Sequence, residues 1–197
     1  MHFILINGHG DLINGVYQTK GKQFHHKNGK SIYEGVFNRV VVNDLCRMCE
    51  ENGYSYTNLV PEHTDVTLHE RVSRANAVYK EHPNCVIIEV HANAGGGTGF
   101  EVFTTKGVTK SDKFAEIIID SMVENLPELR LRADTRDGDK DKEAGFYVIR
   151  KAYAPALLIE CAFMDTYEPD CRMMLETPER FSLAIFKGMT IIKSLTK

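Results

Sequence analysis

Three short, largely apolar runs, residues 3–6, 85–90 and 156–159, most constrain what this chain can become. Apolar runs of this length, bounded by turn residues, read as strands buried on both faces. Such strands need helices on either side, and the intervening sequence supplies them. Residues 34–52 carry Phe37, Val41, Leu45 and Met48 at helical spacing, with Gly53 as the stop. Thr67-Leu68-His69-Glu70 matches a capping box that opens a helix ending near His82-Pro83. Ser111 is expected to cap a helix carrying Phe114, Ile118 and Met122. Thr177-Pro178 opens a last helix with Phe181, Ile185, Ile192 and Leu195 on its buried side. Further strands are expected at 54–60, 100–104 and 146–150. The fold class is α/β: a mixed, mostly parallel central sheet of about six strands, flanked by helices. Residues 11–30, polar and broken by Gly15, Gly21 and Gly29, read as a long loop or hairpin over one edge. Residues 134–143 (DTRDGDKDKE) read as a charged, solvated loop.

The chain has 197 residues, 43% of them hydrophobic and 26% charged, which suits one globular domain spanning 1–197. A formal charge of −3 argues against a general nucleic-acid binder or a polybasic membrane binder, since both need clustered positive charge. No apolar stretch reaches the roughly 18 residues of a membrane span. Five cysteines are an odd number, so at least one stays free, as expected for synthesis in the reducing cytoplasm. The run at 3–6 is too short for the apolar region of a signal peptide, and none is expected.

Chemistry concentrates where these strands end. The first strand delivers His9, the second His91 and the third Glu160, while Glu34 stands at a helix start. In open α/β sheets, ligands bind beyond the carboxyl ends of strands, so these residues can converge. Two histidines and one carboxylate, with an open fourth position, make a catalytic zinc site. A hydrolase then needs one more carboxylate, off the metal, to move the proton of the attacking water. Glu160 is an acid inside an apolar run, which is costly unless it is paired or functional. Other candidates fall to plainer readings. Adjacent His25 and His26 point opposite ways in an extended segment, Cys46 and Cys49 share one buried helix face, and His69 belongs to a solvated face. Asn7-Gly8-His9-Gly10, with the next glycine at Gly15, fails the spacing of a dinucleotide fingerprint.

At these residues the sequence resembles the zinc-dependent N-acetylmuramoyl-L-alanine amidases, cell-wall enzymes related to zinc exopeptidases. The matching pieces are Asn7-Gly8-His9-Gly10, Tyr33-Glu34-Gly35-Val36-Phe37-Asn38, Leu68-His69-Glu70-Arg71 with Ala75-Asn76, Val90-His91-Ala92-Asn93-Ala94, and residues 155–163 (PALLIECAF). They occur in family order over almost the whole chain. The resemblance implies a zinc-exopeptidase-like fold and a single catalytic domain. It implies His9, Glu34 and His91 as ligands of one Zn2+ and Glu160 as the catalytic acid/base. The implied reaction cleaves the amide between N-acetylmuramic acid and the L-alanine of the peptidoglycan stem. Asn93 and Arg71 are candidates for positioning substrate or site. Cys161 stands where the family often has glycine, and a strand would point it to the opposite face from Glu160. The loops at 19–30 and 134–143 are expected to border the cleft. A phage-type lysin released to the wall is the simplest setting. A zinc peptidase or carboxypeptidase is the alternative, and a catalytically dead wall-binding module a third reading.

Overall fold

A computed structural model describes residues 1–136 and 138–195. The elements run β1 (His2–Asn7), β2 (Leu12–Ile13), β3 (Val16–Tyr17), β4 (Gln23–His25), β5 (Ser31–Tyr33), α1 (Glu34–Glu51), β6 (Ser55–Asn58) and α2 (Leu68–Glu81). They continue β7 (Cys85–Asn93), β8 (Glu101–Thr104), α3 (Lys110–Asn125), β9 (Lys142–Glu143), α4 (Tyr147–Lys151), β10 (Ala156–Phe163), a π turn (Tyr167–Cys171), α5 (Arg172–Glu176) and α6 (Pro178–Ser194). Six strands form the central sheet in the order β6-β1-β7-β10-β8-β9. All neighbours are parallel except β8 and β10. The α/β class and the mixed, mostly parallel sheet are therefore as expected.

Strand parity divides the core. Phe3, Leu5, Val86, Ile88, Val90, Leu157, Ile159 and Cys161 face one way and pack with Val41, Leu45, Ile118, Met122, Phe181 and Ile185 of α1, α3 and α6. Ile4, Ile6, Ile87, Ala156 and Leu158 face the other way, under Val72, Ala75, Val148 and Ile149 of α2 and α4. This second apolar layer is shorter. Beyond Ile87 and Leu158, the same face carries Glu89, His91 and Glu160.

Several local expectations change. β7 and β10 run on to Asn93 and Phe163, so His91 and Glu160 lie inside strands rather than after them. The segment expected as a strand at 146–150 is helix α4. Its adjacent Val148 and Ile149 are both buried, and a helical turn can bury neighbours where a strand would alternate them. The sixth strand is instead β9, inside the charged stretch expected to be solvated; Asp137 of that stretch lies outside the described residues. Thr109 rather than Ser111 caps α3, through a reciprocal capping box with Asp112. Ser111 is buried, and its hydroxyl accepts from the Ala156 amide at the start of β10. The 11–33 region holds two small hairpins, β2-β3 and β4-β5. Leu195 is exposed at the end of α6. The π turn and α5 had no counterpart in the sequence reading. All five cysteines are buried and unbridged.

Asp141, also within the charged stretch, is 2% exposed and accepts from the Thr104 hydroxyl at 2.7 Å. Burial, reinforced by Asp139 and Asp112 and opposed by the Thr104 hydroxyl, pushes its carboxyl up to about 7. The folded chain thus holds a proton here that the unfolded chain releases near pH 4. Stability from this group falls as pH rises from about 4 to about 7 and is flat above that. Asp141→Asn keeps an acceptor for Thr104 and should flatten that slope, by on the order of 1–2 kcal/mol after solvent screening. Thermal melts of both proteins across this pH range check it.

Candidate metal centre

Each candidate ligand is placed by a local constraint. After β1 the backbone turns at Gly8, and His9 adopts a left-handed conformation with φ 67°. A Cβ at Gly8 would stand 2.3 Å from the His91 ring, so only glycine lets β1 and β7 end side by side here. Asn38 of α1 donates to the Gly8 carbonyl at 3.0 Å, and Arg71 of α2 donates to the Asn7 carbonyl at 2.6 Å. These bonds pin the turn from two helices. A Cβ at Gly35 would stand 1.9 Å from the Gly10 carbonyl oxygen. The first turn of α1 thus lies directly on the His9 loop, and its first residue, Glu34, is driven under the imidazoles.

Glu34 is 1% exposed. Its Oε1 lies 3.0 Å from His91 Nδ1 and 3.3 Å from His9 Nε2, and the two rings meet edge to face. One ligand atom from each of His9, Glu34 and His91 falls within 4.8 Å of the others. His9 Nε2 and Glu34 Oε2 are buried without a hydrogen bond, and Lys22 Nζ stands 3.6 Å from that Oε2. Burial alone would raise the Glu34 carboxyl, but His9 and His91 outweigh it and hold it well below the usual carboxylate range. Burial likewise lowers the His91 imidazole, yet Glu34 and Glu89 outweigh it and bring it up to about 10. The pocket is built to hold positive charge. Two imidazoles, a carboxylate and orphaned buried ligand atoms fit a divalent ion of the zinc type.

Glu160 is the strand partner of His91 in the parallel β7–β10 register, so the two side chains leave the same face. Its Oε2 is buried without a hydrogen bond. Burial, opposed by His91 and reinforced by Glu34, pushes its carboxyl up to about 7. A carboxyl poised there can both accept and return a proton near neutrality. Cys161 points to the other face and is buried, as expected.

The remaining candidates frame the site. Arg71 is 2% exposed, donates to Asn7 and Val66, and lines a cleft of about 350 Å3 with His9, Lys22, Glu89 and His91. Asn93 donates to Glu101 Oε1 at 3.3 Å. His26 is occupied by the Met164 carbonyl at 2.8 Å and is not among the three residues that converge. Glu89 escaped the sequence reading. It is buried, 3.4 Å from His91 Nε2, and faces the ring side opposite Glu34. Its signal was the one used for Glu160, an acid inside an apolar run at the parity of His91. A larger cavity of about 490 Å3, lined by Met1, Cys85 and Pro155, lies at the opposite ends of the strands, away from these ligands.

A family model described as N-acetylmuramoyl-L-alanine amidase matches residues 4–190. The chain belongs to the N-acetylmuramoyl-L-alanine amidase family. Within that family it is 34% identical over 101 residues to the amidase CwlM of Bacillus licheniformis, covering 51% of this chain and 35% of that protein. It is 32% identical over 118 residues to the sporulation-specific amidase of Bacillus subtilis strain 168, covering 58% of this chain and 42% of that one. The matched stretches thus span less than half the length of these curated relatives. Among solved structures, the amidase from Clostridium difficile 630 superimposes with a TM-score of 0.79 at 21% identity, over 98% of this chain and 97% of that one. This likeness establishes the amidase-type fold. No helix among the described residues is long and apolar enough to cross a membrane.

Proposed function

We propose that this chain is a single catalytic domain that hydrolyses the amide between the lactyl group of N-acetylmuramic acid and L-alanine of the peptidoglycan stem. The observation that carries the reading is the meeting of His9, Glu34 and His91 around one point, with Glu160 in strand register beside His91. Those three residues would hold one Zn2+. When bound there, zinc lowers the pKa of a coordinated water toward about 7 and polarises the substrate carbonyl. Glu89, behind the His91 ring, fixes which imidazole nitrogen carries the proton and so turns Nδ1 toward the shared point. Glu160 takes the proton of the attacking water and passes it to the departing L-alanine amine. Its Oε2, buried while the residue as a whole is half-buried, limits exchange of that proton with bulk solvent. Membership in the amidase family supports the cell wall as the place of action.

Defined muropeptides test the reading. Incubation with zinc-loaded protein should release stem peptide with L-alanine as its new N-terminus. A chelator should abolish the release, and added zinc should restore it. Loss of a terminal amino acid instead would make the chain a zinc peptidase, and no turnover of isolated walls would make it a binding module.

A further inference from the structure

A second charged constellation lies on the far side of Glu160 from the metal ligands. In the antiparallel β8–β10 pair, Glu101 is the direct partner of Glu160. Glu101 is buried and shared by two cations: Arg132 Nε on Oε1, and Lys142 Nζ at 2.7 Å from Oε2. Asn93 adds its amide to Oε1. Two cations on one carboxylate leave a surplus of one positive charge. The Arg132 guanidinium lies over the Phe163 ring, 5.0 Å from its centroid. Its Nη nitrogens make no hydrogen bond among the described residues, and the side chain is about a third exposed. Neutralising Glu101 needs only one cation. A second one, held over an aromatic ring and with its Nη donors unused, suits recognition of a planar anion.

The proposed chemistry says on which side that anion lies. Glu160 delivers its proton to the leaving amine, so the peptide half of the substrate departs past Glu160, toward β8. Neighbouring strands are about 4.8 Å apart, and a peptide advances about 3.5 Å per residue. A group about two residues beyond the scissile nitrogen therefore reaches the strand that carries Glu101 and its cations. In the peptidoglycan stem, the residue after L-alanine is a D-glutamate linked through its side chain. That linkage leaves its α-carboxylate free, unless the wall chemistry amidates it.

We infer that Arg132 and Lys142, held on Glu101 beside Glu160, recognise the free α-carboxylate of the second stem residue and select the acid over the amide form. The inference rests on the amidase reading above. Its test uses two substrates, muramoyl-L-alanyl-D-isoglutamate and its isoglutamine counterpart, with zinc-loaded wild type, Arg132→Gln, Lys142→Gln and Arg132→Lys. Wild type should show a KM for the acid about tenfold or more below that for the amide, the range of one hydrogen-bonded charge pair. Arg132→Gln and Lys142→Gln should raise KM for the acid and shrink the difference, while Arg132→Lys restores part of it. High salt should erode the preference in wild type as well. Equal KM for the two substrates in wild type overturns the inference and leaves the amidase reading standing. So does a fall in kcat, alike on both substrates, in the glutamine variants, because that is how a purely structural pair behaves. Cleavage of neither substrate by wild type overturns the amidase reading and this inference with it. The wild-type comparison decides even if a variant fails to fold.

Discussion

Glu160→Gln is expected to keep its metal and to lose activity by at least about 10²–10⁴-fold, the range of a general acid/base. Glutamine matches glutamate in volume, so the β7–β10 register and the ligand positions should persist. It cannot accept a proton at neutral pH, and so it removes both halves of the proposed proton transfer. The buried, unbonded Oε2 makes the site tolerant of the swap, because no existing hydrogen bond is broken there. Steady-state kinetics beside metal analysis of the same sample checks both halves. A variant with full turnover would remove Glu160 from the chemistry, whatever the metal content.

His91→Ala should lose metal and activity together. The imidazole faces Glu34 at 3.0 Å on one side and Glu89 at 3.4 Å on the other. Its removal takes away one of the three proposed ligands and leaves two buried carboxylates without the group between them. Activity should fall to background, below that of Glu160→Gln. Zinc should raise the melting temperature of wild type and leave that of His91→Ala unchanged, since a ligand stabilises only what binds it. Melting with and without zinc, together with metal stoichiometry, separates the two variants: Glu160→Gln should respond to zinc and His91→Ala should not. A His91→Ala protein that still holds one equivalent of zinc would show that His91 is not a ligand.

Much of this was legible because the relevant signals are local. Buried strands are short apolar runs, and a charged or imidazole residue at the end of such a run stands out. His91 and Glu160 were found that way, and Glu89 could have been. What was not legible depends on tertiary partners. Tyr147, Val148 and Ile149 have strand-forming side chains, yet they form a helix because both Val148 and Ile149 are needed in the second core layer. β9 has no apolar pattern at all; Lys142 and Glu143 become strand through their pairing with Phe103 and Thr104 of β8. Arg132 lies in an irregular segment with no periodicity to mark it, and its place over Phe163 exists only once β10 is laid beside β8.

The parity of β10 also decides what the proposed metal centre could do. Glu160 and Cys161 are adjacent, so a slip of one residue along β7 would bring the thiol next to His91 and turn the acid into the apolar layer that Ile159 and Leu157 now fill. A thiolate there would be a fourth protein ligand for the proposed metal, which is the pattern of a closed structural site rather than of a catalytic one. The anchor against that slip lies at the strand's far end, where Ser111 holds the Ala156 amide and fixes the count of residues leading up to Glu160.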